Sequence, residues 1–175
     1  MKFTETPISG ARLVEPEPRR DDRGFFARLW CREEFARHGL SADFVQCNNS
    51  FSRDRGTLRG LHYQADPHGE AKLVSCVRGR VFDVTVDLRP ASPSYRQWFG
   101  AELTPENRVM VYVPSGCAHG YLTLEDESEV VYPVTAPYHP ASERGLRWND
   151  PAIGIAWPME PLVISPKDRE WPDLL

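Results

Sequence analysis

Apolar and polar residues alternate most regularly along Val81-Phe82-Asp83-Val84-Thr85-Val86-Asp87-Leu88. Phe82, Val84, Val86 and Leu88 share one face and Val81, Asp83, Thr85 and Asp87 the other, the period of two of a β-strand with one side on a core. The carboxylate face is then expected to look onto solvent or a cavity. Lys72-Leu73-Val74-Ser75-Cys76-Val77 reads as a partner strand, joined through a turn at Arg78-Gly79-Arg80. Further strands are expected at residues 12–14, 24–29, 108–113, 120–124, 129–134 and 146–148. Only residues 31–38 carry a helical pattern, around Phe35 and Ala36, and Gly39 stops it.

Sixteen prolines and twelve glycines punctuate these short apolar segments, which predicts strands joined by turns and an all-β sandwich or barrel with short peripheral helices. Neither a GxGxxG nor a Walker A pattern is present, against a nucleotide-binding α/β fold. A length of 175 residues fits a single domain. The turn-rich stretch 158–175 is expected to pack over the barrel as an arm, since Trp157, Leu162, Val163, Ile164 and Trp171 are otherwise costly to expose.

Composition narrows the function. With 41% hydrophobic and 26% charged residues and a net charge of -4, the chain is globular and has no basic tail or stripe for nucleic acid. No apolar run approaches the ~20 residues of a spanning helix, and the first residues lack the apolar core of a signal peptide, so no membrane association and a cytoplasmic location are expected. Cys31, Cys47, Cys76 and Cys117 are widely spaced without a CxxC pair, and reduced thiols are expected.

The densest candidate chemistry is the run Arg59-Gly60-Leu61-His62-Tyr63-Gln64, followed by Lys72. A histidine with an unperturbed pKa of ~6.5 is suited to general-base work. Alone, His62 is as well explained by a structural role. Arg59, able to grip a phosphate with two N–H groups, and Lys72, able to stabilise an oxyanion, favour a site that holds an anion and moves a proton. Pro114-Ser115-Gly116-Cys117-Ala118-His119-Gly120 supplies a second histidine and matches the Pro-x-Gly-x-x-His half of the cupin pattern. The other half, a His-x-His pair with a Glu, is broken because Gln64 stands two residues after His62; metal-free proton chemistry is therefore expected, with no cofactor. On pattern alone Tyr132 reads as a packing residue in a strand, Tyr138 as an aromatic plane in a proline-bracketed loop, and Asp168 as a surface charge that matters only if the C-terminal arm folds back on His62.

Over essentially its whole length the sequence resembles the dTDP-4-dehydrorhamnose 3,5-epimerase family of cupins. The resemblance rests on Asp22-Arg23-Gly24-Phe25-Phe26, Leu58 through Gln64, Lys72-Leu73-Val74, Phe82-Asp83-Val84, Val86-Asp87-Leu88-Arg89, Ser92-Pro93, Pro114-Ser115-Gly116 with Ala118-His119-Gly120, Trp148-Asn149-Asp150-Pro151, Trp157-Pro158, and Ser165 with Lys167-Asp168. It implies a jelly-roll barrel and a homodimer whose N-terminal segments cross to the partner. It further implies a nucleotide-linked 4-keto-6-deoxyhexose as substrate, inverted at C3 and C5. In that scheme His62 is the base, Asp168 orients it, Lys72 stabilises the enolate oxygen with His119 nearby, and Tyr132 donates from the opposite face. Arg59, Gln46, Asn48 and Lys167 would contact the diphosphate and nucleotide, Arg23 and Phe26 would arrive across the dimer, and Tyr138 would stack near the nucleotide or sugar; Arg28, Cys47 and Glu143 complete the implied substrate site. The family usually carries Glu at the position of Arg28, Asp at Cys47, His at Asn49 and Lys at Pro133. These departures fall on nucleotide recognition and leave the proton-transfer set complete. A 3-epimerase on a related sugar nucleotide, or a noncatalytic sugar-nucleotide-binding cupin, are the alternative readings.

Overall fold

The computed structural model describes residues 1–174; Leu175, within the expected C-terminal arm, lies outside the described residues. In chain order the strands are β1 (Lys2–Glu5), β2 (Arg12–Glu15), β3 (Arg19–Asp21), β4 (Gly24–Phe26), β5 (Gln46–Ser52), β6 (Thr57–Gln64) and β7 (Lys72–Arg78). They continue with β8 (Val81–Asp87), β9 (Trp98–Leu103), β10 (Met110–Val113), β11 (Cys117–Thr123), β12 (Ser128–Val134), β13 (Glu143–Gly145) and β14 (Val163–Ile164). Helix α1 (Arg32–Arg37) follows β4, α2 (Pro166–Arg169) follows β14, and a 3-10 turn at Pro140–Ser142 precedes β13.

Two antiparallel sheets face each other in a jelly roll, one ordered β1-β2-β10-β7-β12-β5 and the other β13-β6-β11-β8-β9, with β14 alongside β6 in parallel; β3 and β4 form a separate hairpin. The space between the sheets is divided. One part is filled by Val74, Cys76, Val81, Leu103, Val111, Val113 and Val130, capped by Ile8 and Ala11. The remainder is a polar cavity. Burying a side chain the size of Val or Leu contributes about 1.5–3 kcal/mol, so the apolar part carries the sandwich and leaves the polar part free for chemistry.

Both outer faces are also covered. Phe35 of α1, with Leu40 and Ala42, packs on Val14, Leu73, Met110 and Tyr112. On the other sheet, Leu146, Ile153 and Trp157 cover Leu61, Val84, Val86 and Ala118. The two faces of β8 are therefore both buried: Asp83, Thr85 and Asp87 look into the barrel interior and not onto solvent. Gly39, at φ +69°, ends α1 as expected.

Several expected strands differ in extent. Residues 24–29 pair only as far as Phe26, and the segment at 146–148 follows the end of β13 at Gly145 without forming a strand, although Leu146 still exchanges backbone hydrogen bonds with Leu61 at 3.1 and 3.4 Å. Strands β1, β3, β5, β6, β9, β13 and β14, and helix α2, are additional to the expected set. Among the described residues no helix is long and apolar enough to cross a membrane.

Candidate active site

Strand β6 carries the site, and its irregularity places the site. Arg59 is paired with Tyr121 of β11 while His62 is paired with His119, so β6 holds one residue more than its partner between these points. Gly60 absorbs the bulge at φ +124°, and a Cβ there would lie 2.6 Å from Gly120 Cα; only glycine permits the two backbones to approach so closely. The consequence is that His62 and His119 emerge side by side on the inner face of their sheet.

The expected return of the C-terminal arm brings Asp168 to them. Ser165 caps α2 by accepting the Asp168 N–H at 3.1 Å, and Pro166 occupies the first turn. Asp168, 4% exposed, then lies with Oδ1 2.5 Å from His62 Nε2, and Gly60 N–H points at its Oδ2 at 3.4 Å. Burial alone would push the Asp168 carboxyl up; the hydrogen bond and charge of His62, with Gly60 and Ser165, outweigh it and hold the carboxyl below the usual range. An ionised Asp168 requires His62 Nε2 to carry the hydrogen, which leaves Nδ1 with its lone pair.

His119 repeats the arrangement. Its Nε2 is 2.6 Å from Asp83 Oδ2, both residues being almost fully buried. Asp83 Oδ1 and Thr85 Oγ1, on the same inward face of β8, are buried without hydrogen-bond partners, a polar layer behind His119.

The facing sheet supplies Lys72 and Tyr132. Lys72 begins β7, 6% exposed, with Nζ 3.2 Å from Glu70 Oε1. An ammonium removed from water needs such a partner, and breaking a buried pair of this kind costs about 3–5 kcal/mol. Tyr132 sits on β12 opposite Asn48 of β5. Burial, then the charges of Tyr121 and Glu70, push its phenol up, so it carries its proton at neutral pH.

These groups converge on a cavity of about 470 Å³ lined also by Arg59, Tyr121 and Lys167. A second hollow of about 290 Å³, lined by Gln46, Asn48, Tyr138 and Glu143, shares His62, Lys72 and Tyr132 with it. At its rim Lys167 Nζ pairs with Glu143 Oε1 at 2.6 Å, Tyr138 O–H donates to Glu143 Oε2 at 2.8 Å, and Tyr138 N–H donates to Gln46 Oε1 at 3.2 Å. Burial alone would raise the Glu143 carboxyl; Lys167 and Tyr138 outweigh it and bring it down. Arg59 is tied to β5 through Ser52 Oγ at 3.0 Å and the Phe51 carbonyl at 2.8 Å. Cations at Arg59, Lys72 and Lys167 thus border one connected space.

Four residues expected at the site are elsewhere in the single chain. Cys47 is on the outer, exposed face of β5, whose inward positions are Gln46, Asn48, Ser50 and Ser52. Arg23 is exposed and paired with Asp21, while Phe26 and Arg28 border a separate hollow beside Met1 and Glu34. Conversely, Asp83, Glu70 and Tyr121 belong to the site without having been singled out. Asp83 was legible in principle, since the alternation of β8 puts it on the face of a strand that pairs with His119.

The two inward histidines each engage a carboxylate through Nε2, and among the described residues no group of three or more His, Cys, Asp or Glu side chains is placed to hold a metal ion. What the site offers is a base, a proton donor from the opposite wall, and cations for an anion.

Fold and site together define a jelly-roll protein equipped for proton transfer beside an anionic group. The family model described as dTDP-4-dehydrorhamnose 3,5-epimerase matches residues 5–175, and the chain belongs to that family. It is 47% identical over 177 residues to a dTDP-4-dehydrorhamnose 3,5-epimerase of Methanothermobacter thermautotrophicus, covering 99% of this chain and 94% of the relative. The crystal structure of a dTDP-4-dehydrorhamnose 3,5-epimerase from Bacillus anthracis with TDP and PPi bound superposes with a TM-score of 0.94 at 40% identity, covering 99% of each chain. A dTDP-6-deoxy-D-glucose-3,5-epimerase from Legionella pneumophila, in complex with dTDP-4-keto-L-rhamnose, gives a TM-score of 0.88 at 40% identity, covering 95% of this chain and 89% of that one.

Proposed function

We propose that this chain is a carbohydrate epimerase that inverts C3 and C5 of a dTDP-linked 4-keto-6-deoxyhexose, converting dTDP-4-dehydro-6-deoxyglucose to dTDP-4-dehydrorhamnose. The observation that carries the reading is the placement of the His62–Asp168 pair and Tyr132 on opposite walls of one cavity. Inversion at carbon needs a proton removed from one face and returned to the other. The family and the bound molecules of the two solved relatives supply the substrate class.

In this reading His62 Nδ1 takes the proton from C3, whose acidity comes from the adjacent C4 ketone. The electron pair moves into a C3–C4 enolate and the negative charge settles on O4, where Lys72 and His119 stabilise it. Tyr132 delivers its phenolic proton to the opposite face of C3, the carbonyl re-forms, and the same exchange follows at C5. Both side chains recover their starting protonation through water. No step draws on a redox or carbonyl-binding cofactor. Arg59 and Lys167 hold the diphosphate, and Gln46, Asn48, Tyr138 and Glu143 border the nucleotide.

A homodimer belongs to the same proposal. Phe25, Phe26, Leu29 and Trp30 are 48%, 70%, 57% and 41% exposed in the single chain, an apolar strip that a second copy would cover. Arg23 and Phe26 would then reach the partner's cavity, which accounts for their distance from their own.

The test is proton NMR of dTDP-4-dehydro-6-deoxyglucose with the protein in deuterated water. Deuterium at both C3 and C5 with formation of the inverted product is expected. Exchange at C3 alone would make the chain a 3-epimerase, and binding without exchange would make it a noncatalytic sugar-nucleotide protein.

A further inference from the structure

The C-terminal arm brings more than Asp168 to the dyad. Three residues on, the Trp171 indole Nε1–H points at Asp168 Oδ1 at 3.3 Å, the same oxygen that His62 Nε2 engages at 2.5 Å. The indole also meets the His62 ring edge to face, with centroids 6.1 Å apart and planes at 67°. Lys167 Nζ lies 5.6 Å from the indole centroid. Gly145, which pairs with His62 across β6 and β13, forms the seat: a Cβ at that position would be 2.1 Å from Trp171 Cε2 and 2.5 Å from Nε1.

We propose that Trp171 is a positioning residue of the His62–Asp168 dyad, its N–H holding the carboxylate against the imidazole while its ring, seated on Gly145, docks helix α2 on strand β6. The proposal rests on the reading of His62 as the base and adds what keeps that base in place.

Three donors converge on one carboxylate. Asp168 receives His62 and Trp171 on Oδ1 and Gly60 on Oδ2. Each donor fixes the carboxylate's orientation, and each draws on the same negative charge. With the indole N–H removed, the remaining charge falls more fully on the His62 N–H and favours the imidazolium form. The other ionisable groups facing the dyad are Arg59, Lys72, His119, Tyr121, Tyr132 and Lys167 around the larger hollow and Tyr63, Glu70, Tyr138 and Glu143 around the smaller. Of these only Lys167 contacts the indole, and a phenyl ring in its place leaves that ammonium an aromatic face, so the difference between variant and parent reports the lost N–H. The short helix α2 has only four residues and one side-chain cap, and an aromatic ring locked on a glycine gives it a second anchor. Simple packing on Gly145 would also require a large ring at 171. It would not require the N–H.

Trp171→Phe separates the two roles, because it keeps a ring on Gly145 and deletes the donor. The His62 imidazole is followed by NMR in histidine-labelled, substrate-free protein, and the steady-state constants are measured alongside. The expected results are a titration midpoint about half a pH unit higher than in the parent, and a kcat reduced about three- to tenfold with KM unchanged. Gly145→Ala approaches from the other side: its Cβ displaces the indole, and it is expected to move the midpoint in the same direction. It also decides the matter if the Phe variant does not fold. A His62 titration identical to the parent's in both variants, or in Gly145→Ala alone if only that protein folds, would overturn the proposal and leave Trp171 a packing residue. The titration needs no substrate, so this failure is distinct from a failure of the proposed activity, which the parent protein's turnover decides.

Discussion

His62 and His119 stand opposite each other across the antiparallel β6–β11 pair, and each has a buried carboxylate at its Nε2, Asp168 at 2.5 Å and Asp83 at 2.6 Å. The two imidazoles are thus oriented from behind by different elements, one by the C-terminal helix and one by the floor of the barrel. In the proposed reaction the first acts on carbon and the second on the oxygen that becomes negative.

Asp83→Asn tests the second pair. The amide keeps the volume and removes the acceptor charge that fixes His119. A kcat lower by about 10- to 100-fold with KM little changed is expected. Steady-state kinetics on the dTDP-sugar substrate give the answer, and an unaltered kcat would remove His119 from the stabilisation of O4.

Tyr132→Phe separates proton removal from proton return. Because burial holds the phenol protonated at neutral pH, its loss leaves His62 able to take a proton but leaves nothing to deliver one to the far face. Deuterium should still enter from deuterated water at a measurable rate while inverted product falls by about 10²–10⁴-fold. NMR of the recovered sugar distinguishes the two, and inverted product at the parent rate would exclude Tyr132 as donor.

Stability in acid should follow Asp87. Burial alone would raise its carboxyl, but Arg89, Ser92 and Ser94 outweigh this and hold it far below the ordinary range. Arg89 Nε and Nη2 donate at 2.8 and 2.7 Å, and Ser94 Oγ at 2.6 Å. A depressed folded value contributes stability in full above the unfolded carboxyl range near ~3.9 and loses it as pH falls toward the folded value. Asp168, also lowered, acts with the same sign. Asp87→Asn is expected to cost about 3–5 kcal/mol at neutral pH, with the gap to the parent narrowing below about pH 4. Urea midpoints across that range measure it; a constant gap would contradict the assignment.

The thiols should react in order of exposure. Burial pushes Cys76 up to about 11 and Cys117 up to about 12, so neither is a thiolate at neutral pH. Cys47 is exposed and Cys31 partly so. Alkylation of the native protein followed by peptide mass mapping should label Cys47 first, Cys31 more slowly, and Cys76 and Cys117 only after unfolding. Native-state labelling of Cys117 would contradict its burial.

How much of this was legible in the sequence depends on what each strand faces. β7, β8 and β12 have apolar residues at alternate positions on a packed core, and their period of two located them. β5 reads in the opposite sense, with Gln46, Asn48, Ser50 and Ser52 inward and Phe51 outward, because its inner face lines a polar cavity. A strand that builds a site in this way has no apolar alternation to find. In β6 the period is broken by the bulge at Gly60, where Leu61 and Gly60 are buried in succession. The chemistry survived where geometry did not: His62, Lys72 and His119 were legible from residue type and local motif. Asp168 and Tyr132 reached the site on the strength of the family resemblance, since α2 folds back through contacts of Asp168 with His62 and Gly60 and of Trp171 with Gly145, all between residues far apart in the chain. Arg23 and Phe26 lie away from the cavity in the single chain, and the proposed dimer that would carry them to a partner's cavity is not encoded by patterning within one chain.

The central claim is that one base, His62, removes the protons at both carbons. Its most direct measurement is hydrogen–deuterium exchange at C3 and C5 of the dTDP-4-keto-6-deoxyhexose in deuterated water, comparing the parent protein with a folded His62→Ala variant that still binds the nucleotide. The account predicts exchange at both positions in the parent and at neither in the variant. Exchange retained at either carbon in the variant would contradict it and place a second base in the cavity.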